Sequence, residues 1–195
     1  VVEDACEALG MVPQRGDYTA YSFYGNKIIT TGEGGMLCGE HLAKARLWRD
    51  GGFDRNYQNI VPGLNYRMCN LQAALGLAQL ERFDALLERR LANADAYRRA
   101  LPGVGRWLFV VATPDPERLG QALADAGIAS RRVFTPLHLS PAFARYRRGD
   151  YPCAETAWRY GLCLPTGPHV DAEGVRYVVE TIKRIDGHGN FRTLV

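Results

Sequence analysis

The chain contains 195 residues and carries a net charge of +3, from 24 basic and 21 acidic residues. Apolar residues make up 47% and charged residues 23%, which is typical of a globular protein and excludes the disordered, collagen-like and disulfide-scaffold classes. No apolar run approaches the roughly 18 residues of a membrane-spanning helix, and a chain of this length buries a core without a structural metal.

The charged residues and the cysteines are spread along the chain. The densest basic cluster, residues 145–148, is followed by Asp150 and favours a solvated loop over a nucleic-acid site. The first residues carry no signal segment and are typical of a strand in mid-fold. The cysteines lack the paired spacing of a zinc site, and their small or apolar neighbours predict buried, reduced thiols in a cytoplasmic protein. They are Cys6, Cys38, Cys69, Cys153 and Cys163.

Three short strands are predicted at the start of the chain, over residues 1–3, 19–23 and 36–38, and turns that contain glycine separate them. A helix follows over residues 40–50 and ends at Gly51-Gly52. Residues 53–63 contain Asn, Asp, Pro and Gly without periodicity, which predicts a loop.

A long helix is predicted over residues 70–101, with Asn70 as its N-cap. At 1.5 Å per residue it would span roughly 45 Å, more than one compact layer needs, so we expect it to connect two domains. The predicted segments are a large domain (1–69), the connecting helix (70–102) and a small C-terminal α/β domain (103–195). The helix is indicated by apolar residues at steps of three and four, namely Leu80, Phe83, Leu87, Leu91 and Ala94.

The last third of the chain is predicted to begin as a β-α-β unit. A strand over residues 107–112 is followed by a helix that starts at Asp115-Pro116 and ends at Gly127, and a second strand covers residues 128–134. An amphipathic helix over residues 171–185 completes the pattern. Alternating strands and helices place the chain in the α/β class.

Among the three lysines, Lys27 differs in its sequence surroundings. Lys44 and Lys183 lie in predicted helices and are interpreted as surface residues, whereas Lys27 lies in an almost uncharged stretch between two strands. Such surroundings disfavour an ammonium ion, and a neutral amine attacks a carbonyl, as a Schiff-base lysine must. A lysine that merely stabilises a turn is the alternative.

Asp4 directly follows the first predicted strand. A carboxylate at such a place usually caps a turn, but in enzymes that use pyridoxal phosphate (PLP) it pairs with the protonated pyridine nitrogen. The glycines of residues 32–35 fit either a close backbone approach to a ligand or a strained turn.

Together these segments resemble the sugar aminotransferases of the DegT/DnrJ/EryC1/StrS family. The resemblance rests on residues 2–10 (VEDACEALG), 21–36, 65–68 (NYRM) and 72–76 (QAALG), and it continues in residues 136–138 (PLH) and 164–165. It implies the PLP-dependent transferase fold of type I, as in aspartate aminotransferase, with part of the large-domain sheet and the small C-terminal domain. It further implies PLP as the cofactor.

The resemblance implies roles for residues around the cofactor. Lys27 matches the lysine that holds PLP covalently and moves the proton, and Asp4 matches the aspartate at the pyridine nitrogen. Glu7 occupies a position beside the ring, where glutamate is similar to the GDP-perosamine synthases. Ser22 matches a hydroxyl that reaches the cofactor phosphate.

Three further residues have roles implied by the same resemblance. Asn65 and Arg67 match residues that the second subunit contributes, the asparagine near the cofactor phosphate and the arginine near the sugar nucleotide. His138 is predicted to bind substrate. These roles imply a homodimer with shared sites.

The implied activity is transfer of an amino group from L-glutamate to a nucleotide-linked keto-deoxysugar, with a 4-keto-6-deoxy sugar expected, in O-antigen or other polysaccharide biosynthesis. Two alternatives stay open: a PLP-dependent sugar dehydratase, which would carry histidine in place of Lys27, and a non-catalytic truncated partner subunit. Family members are about twice this long, and their first half supplies strands, a phosphate-binding turn and a ring-stacking side chain. We therefore expect a missing segment or a separate chain, and no activity of this chain alone.

Overall fold

The computed structural model describes residues 1–186 and residue 191. The chain divides into two compact units, Val1–Leu87 and Glu88–Val195. The division lies between the predicted boundaries at residues 69 and 102. No helix in the described part of the chain is long and apolar enough to cross a membrane.

The first unit contains a three-stranded sheet in the order β1-β2-β3, with β1 at Val2–Asp4, β2 at Tyr18–Ser22 and β3 at Gly35–Gly39. Strands β1 and β2 are parallel, and Asp4 lies opposite Ala20, whereas β2 and β3 are antiparallel. The three strands lie within one or two residues of the predicted ones. The sheet therefore has two strands whose carboxyl ends point the same way.

The connection from β1 to β2 is held by Glu3. Its Oε2 atom accepts hydrogen bonds from the backbone N–H groups of Arg15 (2.8 Å) and Gly16 (2.9 Å) and from the Thr19 hydroxyl (3.3 Å). These donors favour the carboxylate, and the two backbone N–H groups contribute most to lowering the pKa of Glu3. Because the loop is tied to β1, the start of β2 is fixed beside it.

Two helices replace the single long helix that the sequence predicts. After α1 at Ala43–Arg49, the structure has α2 at Asn70–Leu80 and α3 at Phe83–Ala100. The break at residues 81–82 follows a tightened last turn, in which the Arg82 N–H donates to the Gln79 carbonyl, three residues back. Spacing of apolar residues cannot reveal such a break, because Phe83 and Leu87 continue the same period.

The second unit contains a four-stranded sheet in the order β4-β5-β7-β6. Its strands are β4 at Gly103–Val104, β5 at Phe109–Ala112, β6 at Arg131–Arg132 and β7 at Gly161–Leu164. Its further helices are α4 at Pro116–Asp125, α5 at Pro152–Tyr160 and α6 at Ala172–Asp186, and two short 3₁₀ turns lie at Leu137–Leu139 and Ala144–Tyr146.

The predicted β-α-β unit is interrupted in the structure. Strands β5 and β6 are parallel to each other but do not pair, because β7 lies between them and is antiparallel to both. The sequence analysis missed β7 and α5, and the strand predicted over residues 128–134 shortens to two residues. The predicted N-cap is present, with the Asp115 carboxylate accepting a hydrogen bond from the Arg118 N–H at 2.9 Å.

The core of the second unit lies between this sheet and helices α3, α4 and α6. Tyr97 and Phe109 stack at 5.4 Å between ring centroids, and the Tyr97 hydroxyl donates to the Pro165 carbonyl at 3.0 Å. Burial raises the pKa of Tyr97. The fully buried apolar side chains include Leu123, Leu162, Leu164 and Ile182.

The cysteines differ from the prediction of buried thiols. Of the five cysteines only Cys163 is buried; Cys6 and Cys38 are partly exposed, and Cys69 and Cys153 are exposed. Apolar neighbours in the sequence do not by themselves bury a cysteine. Cys69 lies at the exposed start of α2, and Cys153 lies in α5, which has no buried residue.

Candidate active site

Three of the residues that sequence analysis singled out lie at one edge of the first sheet. Asp4 ends β1 and Ser22 ends the parallel strand β2, while Glu7 follows β1 by three residues. The carboxyl ends of parallel strands meet at the same edge, which is where open α/β sheets bind ligands. Lys27 lies in the connection that leaves β2 at this edge, residues 23–34, called here the lysine loop.

Asp4 is exposed but surrounded by hydrogen-bond donors. Its Oδ1 atom accepts from the backbone N–H of Cys6 at 3.0 Å. A hydrogen bond from the Cys6 thiol, then this N–H, and then the positive charge of Lys27 lower the pKa of Asp4. The same arrangement and burial raise the pKa of the Cys6 thiol, whose Sγ atom lies 3.8 Å from the Ala20 carbonyl. Asp4 is therefore a carboxylate that stays ionised at neutral pH.

The Lys27 amine lies beside a second carboxylate. Its Nζ atom donates to Oε1 of Glu7 at 3.4 Å, and the Lys27 side chain is 12% exposed against 52% for Glu7. The sequence predicts an uncharged neighbourhood for Lys27, and this is wrong, because pairing of β1 with β2 brings Asp4 and Glu7 to the amine. The structure thus groups one amine and two carboxylates at the sheet edge.

The lysine loop is closed by hydrogen bonds at its base. The Phe23 N–H donates to the Gly34 carbonyl and the Thr31 N–H to the Phe23 carbonyl, both at 2.9 Å. Ser22 Oγ accepts from the Tyr24 N–H at 3.3 Å, so the hydroxyl is turned toward the start of the loop. Gly34 has φ +137°, a conformation that a side chain would strain, and a Cβ there would lie 2.7 Å from Thr31 Oγ1.

Two glutamines of α2, to which the sequence analysis assigned no role in the site, hold the same loop. Gln79 Oε1 accepts a hydrogen bond from the Thr30 N–H at 2.9 Å, and Gln72 Nε2 donates to the Glu33 carbonyl at 3.1 Å. The sequence signal was present: polar residues seven apart lie on one face of an otherwise apolar helix.

Asn65 and Arg67 both contact Asp50, the residue that directly follows α1. Asn65 forms an isolated antiparallel bridge with Asp50, and its Oδ1 atom accepts from the Arg67 N–H at 3.4 Å. Arg67 Nη1 donates to the Asp50 carbonyl oxygen at 3.3 Å, whereas the Asp50 carboxylate pairs with Arg49 at 2.7 Å. Both Asn65 and Arg67 are exposed. The Arg67 guanidinium is therefore held by a hydrogen bond to the Asp50 carbonyl, and after the hydrogen bond from Arg49 its positive charge also helps to lower the pKa of the Asp50 carboxyl group.

His138 belongs to the second unit, where its side chain contacts Glu155 and Tyr151. Its Nε2 atom lies 2.9 Å from Oε1 of Glu155, and its ring lies 4.6 Å from that of Tyr151. Arg147 Nη2 lies 4.0 Å from the same Glu155 oxygen. His138 is thus held in a polar cluster between the turn at Leu137–Leu139 and helix α5.

Comparison with known proteins gives one family. The model of the DegT/DnrJ/EryC1/StrS aminotransferase family matches residues 1–183. GDP-perosamine synthase of Caulobacter vibrioides is 36% identical over 222 aligned positions, which cover 95% of this chain and 58% of that protein. GDP-perosamine synthase of Escherichia coli O157:H7 is 35% identical, with 93% and 57% covered. The chain thus spans little more than half the length of these curated relatives.

A solved structure shares the fold. DesV of S. venezuelae, solved in complex with a ketimine intermediate, superposes with a TM-score of 0.83 at 30% identity and covers 96% of this chain and 58% of DesV. The fold is therefore that of the PLP-dependent transferases of type I, as the sequence predicts.

Proposed function

This chain belongs to the DegT/DnrJ/EryC1/StrS aminotransferase family, and we propose that it carries the cofactor-holding residues of a PLP-dependent sugar aminotransferase. The observation that carries the proposal is the grouping of the Lys27 amine with Asp4 and Glu7 at the carboxyl edge of a parallel strand pair. A turn-stabilising lysine would need no such partners.

The residues present fit PLP by their chemistry. The cofactor needs an amine for its carbonyl carbon, a carboxylate for its ring nitrogen and donors for its phosphate. Lys27 supplies the amine, Asp4 supplies a carboxylate whose pKa is lowered, and Ser22 supplies a hydroxyl at the end of β2. When bound, the cofactor would serve as the electron sink that makes amino transfer possible.

The chain's own groups would then divide the work. Asp4 would hold a proton on the ring nitrogen, since a fixed negative charge favours the protonated form. Lys27 would hold the cofactor through Nζ and, once released from it, carry a proton between two carbon atoms as a general base. Glu7, at 3.4 Å from Nζ, would accept a hydrogen bond from the amine and orient it.

We infer that the amino donor is L-glutamate and that the acceptor is a nucleotide-linked keto-deoxysugar, with the keto group at C4 of a 6-deoxy sugar. The support is the likeness to relatives named GDP-perosamine synthase, together with Glu7 in the position beside the ring. The product would enter O-antigen or a related polysaccharide. His138 would bind substrate.

We further propose that the working form is a cytoplasmic homodimer with shared sites, completed by polypeptide that lies in a missing segment or a separate chain. Asn65 would reach the partner's cofactor phosphate and Arg67 the nucleotide diphosphate, which suits a planar guanidinium. The support is that the Arg67 guanidinium is exposed and that α2 has no buried residue, with Leu71 85% and Leu77 59% exposed. The exposed thiols of Cys69 and Cys153 agree with a reducing compartment.

The alternatives account for fewer of these features. A sugar dehydratase of this family would carry histidine at the position of Lys27, and this chain has lysine. A non-catalytic partner subunit would leave the grouping of Asp4, Glu7 and Lys27 without a purpose.

Cofactor uptake tests the proposal. Titration with PLP of the catalytically complete protein that contains this chain should produce a visible absorbance band, and Lys27→Ala should abolish it. Lys44→Ala is the matched control, since Lys44 only lies over the Trp48 ring at 4.7 Å, and it should bind like the wild type. A Lys27→Ala variant with an undiminished band would overturn the assignment of Lys27.

A further inference from the structure

We propose that Gln72 and Gln79 of α2 are positioning residues for Lys27, and that they hold the lysine loop through one donated and one accepted hydrogen bond. The inference rests on the proposed function of Lys27. The two glutamines lie on one face of α2 and take no part in the proposed reaction itself.

Helix α2 turns its polar face inward. Its only partly buried residues up to Gln79 are Gln72, Gly76 and Gln79, which follow each other at steps of four and three and so lie on one face. The leucines of the helix are exposed instead: Leu71, Leu75, Leu77 and Leu80. Helix α2 therefore contacts the rest of the first unit through its two glutamines and Gly76.

The two amides contact the loop on the side that follows Lys27. Gln79 receives the Thr30 N–H at 2.9 Å, and Gln72 donates to the Glu33 carbonyl at 3.1 Å. Between them the helix comes so close that a Cβ on Gly76 would lie 2.8 Å from Thr31 Cγ2. Residues 30–33 are therefore fixed against α2 at two points.

Residues 28 and 29 connect this fixed part of the loop to Lys27. Ile28 and Ile29 are buried at 5% and 3% exposure, and the Lys27 N–H donates to the Tyr24 carbonyl at 3.0 Å. The loop is thus anchored before Lys27 by the turn at Tyr24 and after it by the buried isoleucines and α2. With both sides fixed, the amine has a defined place beside Glu7.

The two glutamines have opposite hydrogen-bonding polarity toward the loop, which makes the inference testable with one substitution. Gln72 also accepts the Cys69 N–H at 3.1 Å, so its oxygen is already used and its nitrogen must serve the loop. Gln79→Glu keeps a side-chain oxygen that can accept the hydrogen bond from the Thr30 N–H. Gln72→Glu loses the side-chain N–H that donates to the Glu33 carbonyl. Glutamate at 72 still caps the first turn of α2, where a negative charge suits the helix dipole.

The experiment compares Gln72→Glu, Gln79→Glu and Gln79→Leu in the whole chain, with exposed Gln121→Glu in α4 as the control. Without cofactor, amide hydrogen exchange is measured at Phe23, Thr30 and Thr31. With PLP, the rate of uptake on Lys27 is measured by absorbance. We expect Gln79→Glu and Gln121→Glu to stay within about twofold of the wild type. We expect Gln72→Glu and Gln79→Leu to exchange roughly fivefold faster and to take up PLP roughly fivefold more slowly, since each loses one hydrogen bond.

Global stability separates this role from a merely structural one. Gln72→Glu should leave the midpoint of unfolding unchanged or raised while the loop loosens. The inference is overturned if Gln72→Glu matches the wild type in exchange, or if Gln79→Glu is as impaired as Gln79→Leu. Exchange needs no cofactor. A catalytically complete protein that takes no PLP on Lys27 therefore contradicts the proposed function, and the exchange pattern still decides on the glutamines.

Discussion

Groups that lie within two residues of Asp4, together with Lys27, favour its ionised form. The Cys6 thiol and N–H donate hydrogen bonds to the Asp4 carboxylate, and Lys27 adds a nearby positive charge. The pKa of Asp4 therefore lies below that of an ordinary aspartate. Asp4 is therefore a carboxylate at any pH above this lowered pKa, and it becomes protonated only when the pH falls through that pKa. Across the neutral range Asp4 is therefore a fixed negative charge.

Replacing Asp4 by Asn removes that charge while keeping the shape. In the catalytically complete protein that contains this chain, Asp4→Asn should lower the transamination rate at least roughly tenfold, as expected for a lost charged hydrogen bond, while PLP still binds to Lys27. Because the pKa of Asp4 lies below the ordinary aspartate value, titration of Asp4 should add no step to the wild-type rate between pH 5 and pH 8. A full rate in Asp4→Asn would make Asp4 a turn cap only.

Sequence patterns reach some of these residues and not others. Asp4 could be singled out because it directly follows a predicted strand, and Lys27 because it is a lone cation in the stretch between two predicted strands. The contact between Glu7 and Lys27 joins residues 20 apart, and that between Thr30 and Gln79 joins residues 49 apart. Such contacts depend on which strands pair and on where a helix packs, and no local pattern encodes either.

At the scale of elements, the first and second units bury their helices differently. Helix α4 places Leu119 and Leu123 in the core of the second unit, at 2% and 0% exposure, whereas α2 has no buried residue. The same kind of substitution should therefore have unequal effects in the two helices.

Leu123→Ala should lower the free energy of unfolding by about 2–5 kcal/mol, because it removes buried carbon atoms and leaves a cavity. In the monomeric chain, Leu71→Ala, at a side chain that is 85% exposed, serves as the control and should change this free energy by less than about 0.5 kcal/mol. Urea unfolding followed by circular dichroism measures both. Equal losses at the two positions would contradict the assignment of the core.

The elements that were predicted well are those with a strong local signal. Asp115-Pro116 marks the start of α4, and the glycine-bounded strands β1, β2 and β3 lie within two residues of their predicted positions. The sequence analysis missed β7, because four fully buried residues lack the alternation of a half-exposed strand. The break between α2 and α3 was missed because the apolar period runs through it.

At the scale of the whole molecule, the shared-site proposal predicts complementation between subunits. In the catalytically complete protein, Lys27→Ala and Arg67→Ala dimers should each be nearly inactive. A mixed dimer would contain one site free of both changes, because Lys27 and Arg67 of one site would come from different chains. Refolding the two together should restore roughly a quarter of wild-type activity under random pairing. Heterodimers without activity would place Arg67 in its own chain's site.

The central claim is that Lys27 is the lysine that takes the cofactor, and borohydride reduction followed by peptide mapping tests it most directly. The chain has only three lysines, so Lys44 and Lys183, both exposed, act as internal controls for unspecific reaction. We predict that the reduced cofactor is found on Lys27, although its side chain is only 12% exposed. Label distributed by exposure, with Lys44 and Lys183 modified ahead of Lys27, would contradict the claim.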